Sequence, residues 1–352
     1  MMRTRTSVHS EKAACRERNH GRTAAVYALA AVQLGTQMIL WVTFLGYDRA
    51  MQAVWQAALM LLTPLLAVWL LWRKGASAAD SRCGRFIALS LLPCLVLDFA
   101  FSLFALSGAI GQIIPQYPGW VGVVVPCAFV FAAAYTARVR GVSYGAYLLR
   151  WGLMVLFVVA TVFLRASNRS DRLWPLLGKG ILNTARTALA GAGSVWGAAL
   201  AWALPRSPSP KGKNILWMIV PWAVGCIWAL WYGFVRPWGQ GDVLAVAEKM
   251  MGLARHASSV TLYELAGLLW LVLLPLSLAG CLSAGEIITL AAFPRCPRAV
   301  PLAALMGAPA LCLLAWPGHV MGILERLLPW RIAVSLLAGG ALAILARKEA
   351  RG

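Results

Sequence analysis

The chain is short of charge, and shorter still of acid. Only 12% of its 352 residues are charged, and 12 Asp and Glu stand against 32 Lys and Arg. A water-soluble domain carries about 25% charged residues, so this composition leaves too little polar surface to face water all round. That excludes a soluble single-domain enzyme and a disordered chain. Histidine is scarce as well. His9, His20, His256 and His319 are scattered and form no HExxH or HxxxH pattern, which removes the commonest intramembrane metallopeptidase signature. No two of the eight cysteines form a CxxC pair. Cys94, Cys127, Cys226, Cys281 and Cys312 lie inside apolar runs and read as small buried hydrophobes, not as a disulfide framework or zinc site. There is no Walker A sequence, so ATP-driven transport by this chain alone is not expected. Nothing supplies an activated nucleophile, a metal triad or a paired acid and base, so neither enzymatic activity nor a cofactor is expected.

What the sequence has is apolar length. Hydrophobic residues make up 61% of it, and the mean hydropathy is +0.72. A spanning helix needs about 20 apolar residues, and such runs recur along nearly the whole chain. The expected fold class is an all-α polytopic membrane protein of about ten transmembrane helices. A basic tail at 1–22 precedes one transmembrane domain at 23–346, and a short tail follows at 347–352. The expected spans are 23–46, 53–72, 86–113, 118–137, 146–165, 181–204, 214–235, 262–292, 299–317 and 327–346. The eighth is long and holds Pro275, so it is expected to tilt or bend.

Loop charge sets the orientation. With the N-terminus inside, twenty basic residues fall on the inner side and nine on the outer, and Arg150, Arg186 and Arg331 fall near span ends. The short basic loops place both termini in the cytoplasm. The formal net charge of +20 is then a membrane feature, suited to anionic lipid headgroups. Nucleic acid is not an expected partner, because no basic stretch is interleaved with aromatics. The segment 242–257 carries Val243, Val246, Met250 and Leu253 at helical spacing and suits a short amphipathic helix at the membrane surface.

Polar groups inside lipid cost several kcal/mol (about 2–7) unless satisfied internally, so function is sought in polar clusters and broken helices. The first span holds Gln33, Gly35, Thr36 and Gln37 in VQLGTQMIL. Two readings stay open there: a helix interrupted at Gly35 around a cavity, or a close helix contact with the glutamines bonding between helices. The sixth span holds Gly191, Gly193, Ser194 and Gly197 in LAGAGSVWGAAL. Each glycine weakens a helix by about 1 kcal/mol relative to alanine, and small residues four apart also favour close packing. The two stretches open the two halves of the chain, at about 23–165 and 181–346. Interrupted spans at corresponding positions point to an inverted repeat of 5+5 helices with its site at the midplane. Of the acidic residues within spans, Asp98 sits mid-span and is expected to face the bundle interior. Glu264 lies near the outer end of the eighth span, and Glu286 near its inner end, at the cytoplasmic interface.

Three stretches carry a family resemblance. VYALAAVQLGTQMILWVTFLG, LWPLLGKGILNTARTALAGAGSVWGAALAWALP and VTLYELAGLLWLVLLPLSLAGCLSAGEIITLAAF resemble the first, sixth and eighth spans of the spore germination receptor B subunits. These GerAB-type endospore germination permeases belong to the amino acid–polyamine–organocation (APC) transporter superfamily. The resemblance implies a LeuT/APC-like bundle with helices 1 and 6 interrupted, in the spore inner membrane of a bacterium. It implies A-type and C-type receptor subunits as partners. It also implies a small germinant, typically an amino acid, bound by Gln33, Gly35, Thr36, Gln37, Gly191, Gly193, Ser194 and Gly197. Asp98 and Glu264 would gate or orient. Ala198 stands where the family often has an acidic residue. A secondary transporter of an amino acid or amine, and a scaffold subunit with a vestigial pocket, therefore stay open beside the receptor.

Overall fold

The computed structural model describes residues 82–113, 116–163, 180–186 and 260–349, with helical positions at 25, 28–30, 32–37, 40, 54, 55, 58, 188 and 200. Within 150–163 and 260–270 only the backbone is described. Six helices are bounded among the described residues, in order: α1 (Arg82–Leu89), α2 (Leu92–Ile113), α3 (Val121–Phe163), α4 (Val260–Ala292), α5 (Ala299–Ala315) and α6 (Val320–Glu349). Among the described residues there is no strand. Three helical stretches among the described residues are long and apolar enough to cross a bilayer, at Cys83–Gly111, Val121–Leu149 and Leu271–Ala292.

The sequence explains where these helices break. The expected third span, 86–113, is divided at Ser90 and Leu91. Pro93 stands in the first turn of α2, where it has no N–H to give and its ring crowds the carbonyl four residues back. The chain tightens there, with Ser90 N–H bonding to Ile87 O and Leu91 N–H to Ala88 O. α3 contains a sharper break. Arg138 has φ 57° and ψ 177°, in a region a bulky residue rarely adopts. It separates 121–137 from 139–163, which is the expected boundary between the fourth and fifth spans. The connection is tighter than the expected loop over 138–145. Gly141 makes that possible, since a Cβ there would lie 2.5 Å from the Ala137 Cβ.

α4 and α5 lie close to the expected eighth and ninth spans. α6 covers the expected tenth span and begins earlier, at Val320, with its apolar stretch at Pro329–Leu342. Pro329 and Arg331 lie inside this helix.

α2 and α4 are the interior of the bundle. They pack against each other, and both also touch α3 and α5, while α6 packs on α1 and α2. Leu95, Phe99 and Leu103 of α2 recur every four residues, as do Leu274, Leu278 and Leu282 of α4, and all are buried in one apolar core with Leu302 and Leu305 of α5. Gly285 of α4 lets the Leu305 side chain approach its backbone. The outer helices carry exposed apolar side chains: Phe129 and Leu148 on α3, Leu311 on α5, and Trp330, Leu337 and Ile344 on α6.

Candidate functional site

The first-span residues are brought together, with a different backbone from the interrupted one. Residues 32–37 are α-helical, Gly35 included, so the opening expected at Gly35 is not there. The physical reason is in the side chains. The Thr36 hydroxyl donates to the Val32 carbonyl one turn back, at 2.8 Å, and the glutamines spend their amides on other helices. Gln33 Nε2 donates to Cys281 Sγ of α4 at 3.2 Å. Gln37 Nε2 reaches the Asp98 carbonyl at 3.1 Å, Ser102 Oγ at 2.7 Å and Ser277 Oγ at 3.4 Å. Gln33 with Cys281 and Gln37 with Ser277 set an antiparallel register between this segment and α4. Gly280 permits the approach: a Cβ there would come within 3.0 Å of Gln33 Oε1 and 3.1 Å of its Cβ. Of the two readings left open by the sequence, this segment follows the interhelical one.

On α2 the polar positions form a stripe, Cys94, Asp98 and Ser102, one turn apart on one face. Ser102 Oγ lies 3.5 Å from Ser277 Oγ of α4. Asp98 turns to α6, where Arg331 Nη2 donates to its Oδ1. Cys94 Sγ donates to the Arg331 carbonyl at 3.8 Å, and the Ser335 hydroxyl donates to that carbonyl at 2.8 Å. Asp98 is 0% exposed and Arg331 3%. The cluster thus joins the first-span segment, α2, α4 and α6 around one ion pair deep in the bundle. Two of its buried acceptors, Gln37 Oε1 and Asp98 Oδ2, have no hydrogen-bond partner among the described residues.

Arg331 is the functional candidate missed from sequence. The loop-charge count sets it near a span end, and the structure makes it the buried counter-charge of Asp98. The signal was present: PWRIAVS sets an arginine in an apolar run, and the spacing of Cys94, Asp98 and Ser102 marks the facing stripe. Gly191, Gly193, Ser194 and Gly197 lie outside the described residues, as do the segment 242–257 and the side chain of Glu264.

Glu286 is 4% exposed. Near the C-terminal end of α4 it accepts a hydrogen bond from Arg298 Nε. Arg298 also donates to the carbonyls of Ala134 and Tyr135, each at 3.4 Å, and lies 5.9 Å from the Tyr135 ring centre. Those carbonyls precede the Arg138 break, where a helix end lacks intrahelical partners. The hydrogen bond to Glu286 is the main reason the Arg298 pKa stands above the ordinary arginine range, against a smaller opposing effect of burial.

A cavity of about 440 Å³ opens elsewhere, at the C-terminal ends of α2 and α5 and the start of α3. Phe104, Ser107, Trp120, Val123, Leu313 and Pro317 line it. None of the expected site residues does. Among the described residues no group of three or more His, Cys, Asp or Glu is placed to hold a metal ion.

No family model and no curated protein matches the sequence. Solved structures do match the fold. Mhp1, a nucleobase-cation-symport-1 family transporter in a closed conformation with bromovinylhydantoin bound, superposes with a TM-score of 0.65 at 11% identity, over 92% of this chain and 76% of that one. The manganese transporter of Eremococcus coleocola, in complex with an aromatic bis-isothiourea substituted compound, superposes with a TM-score of 0.54 at 12% identity, over 90% and 76%. This chain has the transporter fold of these proteins. It is an all-helical membrane protein, and at such low identity the likeness extends to architecture alone.

Proposed function

We propose that the chain is a membrane subunit of a spore germination receptor. It binds a small germinant, an amino acid, in a transporter-like site and triggers germination together with A-type and C-type subunits in the spore inner membrane. The observation that carries the binding step is the buried polar cluster of Gln37, Asp98, Ser102, Ser277 and Arg331. Buried polar side chains in a bundle are costly and mark substrate or ion pathways by default, and two acceptors here have no hydrogen-bond partner among the described residues. The resemblance of three stretches to germination permeases supplies the biological role. The test is germination of spores carrying Gln37→Leu or Ser277→Ala with protein level controlled. The expected result is a germinant dose-response displaced by about tenfold or more, the effect of losing about 1.4 kcal/mol of binding. An unchanged dose-response in both removes the site.

A second reading has an observation in its favour: both solved structures quoted above are named transporters. In that reading the chain is a secondary transporter of an amino acid or amine. Uptake into proteoliposomes under a proton or sodium gradient separates the two. Accumulation against a concentration gradient favours transport, and binding without accumulation favours sensing.

A further inference from the structure

We infer that the cavity at the C-terminal ends of α2 and α5 is a lipid site, which takes the acyl chain of a bilayer phospholipid and is indifferent to its headgroup. The site is separate from the polar cluster, and its failure leaves the proposed function untouched.

The wall decides the chemistry of the occupant. None of the lining residues is charged, and their polar side-chain groups are the Ser107 hydroxyl and the Trp120 indole N–H. A charged or zwitterionic ligand would give up its hydration for too few partners. Water fares no better, since a buried water needs about two to four polar partners and apolar cavities stay dry. The volume of about 440 Å³ is far above the voids of a packed interior and falls within the range of about 300–1,000 Å³ of ligand sites. An apolar occupant fits both the wall and the size.

The position decides where that occupant comes from. Phe104, Val123 and Leu313 are buried and form the floor, while Trp120 and Leu314 are exposed and form the rim. The apolar surface continues outward from the rim on both flanking helices. Val124 stands one turn from Trp120 and Leu311 one turn from Leu314, and both are exposed. α2 and the first half of α3 belong to stretches that can cross a bilayer, so the junction between them lies at the membrane interface. Tyr117, Trp120 and Trp316 are exposed there, in the manner of an interfacial aromatic belt. A chain entering from the bilayer between α3 and α5 meets apolar surface all the way in.

The distribution of charge makes the site blind to the headgroup. Arg138, Arg295 and Arg298 lie at the opposite end of the bundle, where the first half of α3 stops and α5 starts. Neither 111–123 nor 311–323 contains an Asp, Glu, Lys or Arg, so nothing near the cavity favours an anionic headgroup over a neutral one. The site also bears on the polar cluster through the backbone, because Phe104 follows Ser102 by two residues on α2.

The experiment is photolabelling of the full chain in phosphatidylcholine vesicles. A trace of phospholipid carries a diazirine on its acyl chain near the glycerol, and cross-links are mapped by mass spectrometry. The expected result is that the cavity residues are labelled about tenfold more than exposed Phe293 and Val300 at the other interface, a preference of about 1.4 kcal/mol. Phosphatidylcholine and phosphatidylglycerol probes are expected to label the cavity equally. Gly119 and Gly318 line it, and nothing lies within 4 Å of the Cβ that either would carry. Gly119→Trp and Gly318→Trp therefore add bulk in open space and are expected to melt like the parent while losing the excess label. Cavity labelling no stronger than that of Phe293 and Val300 overturns the inference, and leaves the hollow to a partner protein. A preference for phosphatidylglycerol overturns it as well, because the headgroup then decides. So does full labelling of both tryptophan variants at the parent's melting temperature. If neither variant folds, the two probe comparisons on the parent chain decide alone.

Discussion

Among the described residues, two arginine–carboxylate pairs tie helices together, and their surroundings differ. Glu286 and Arg298 meet where α4 ends and α5 begins, and a quarter of the Arg298 side chain is exposed. Asp98 and Arg331 meet inside the bundle, where neither side chain has more than 2% exposure. Water reaches the first pair from the Arg298 side, although the Glu286 side chain is only 6% exposed, so part of its loss is made good by solvent. The second has no such reserve. Removing one partner of a buried pair strands the other charge. The same chemistry is therefore a helix-end fastener in one place and an all-or-none element in the other.

That contrast predicts the largest effect. Arg331→Ala or Asp98→Ala alone is expected to cost about 3–5 kcal/mol of stability, read as a large drop in melting temperature in detergent. The double change Asp98→Leu/Arg331→Met removes both charges and is expected to recover most of it. Single and double variants of equal stability would show that the pair is not electrostatically coupled. A smaller loss is expected for Gln37→Leu. It takes away the donor to Ser102, Ser277 and the Asp98 carbonyl, and each buried group left unsatisfied costs about 1–3 kcal/mol, although the two serines still reach each other.

The glycines sharpen the comparison between cluster and periphery. Gly280→Ala places a methyl against Gln33, and overpacking of this kind costs about 1–3 kcal/mol. Gly145, in the later part of α3, has nothing within 4 Å of its ideal Cβ. Gly145→Ala is therefore expected to be neutral or stabilising by about 0.5–1 kcal/mol through helix propensity. Melting temperatures that fall equally in both variants would show that the tight approach at Gly280 does not matter.

Much of this was legible before the structure, for identifiable reasons. The apolar runs locate α4 and α5 closely, because lipid fixes span length. The basic pair Arg138 and Arg140 marks the break in α3, because charge cannot stay in the hydrocarbon without a partner. Asp98 stood out for the same reason. Arg331 did not, because an arginine near a span end has a bland alternative in snorkelling to the interface, and only its buried pairing with Asp98 across helices shows otherwise. Gly35 misled in the opposite direction. Glycine lowers helix propensity, yet Thr36 bonding to Val32 and the glutamines bonding to α2 and α4 hold the helix through it. A single residue type signals that a backbone can open, while the neighbours across the interface decide whether it does.

The smallest effect concerns the fastener. Arg298→Gln is expected to cost about 1 kcal/mol or less, the range of partly exposed pairs, with some of it from the Ala134 and Tyr135 carbonyls. Its pH dependence follows from the raised pKa of Arg298, which the hydrogen bond to Glu286 mainly causes. A group whose folded pKa is raised contributes fully below its unfolded pKa and loses that contribution only as pH climbs through the folded value. For arginine that window is strongly alkaline, so Arg298 itself adds no slope between about pH 6 and 10. The melting-temperature gap between the parent chain and Arg298→Gln is therefore expected to stay constant across that interval. A gap that closes toward pH 10 would mean that the pair depends on some other titrating group, and that its hold on the broken end of α3 is indirect.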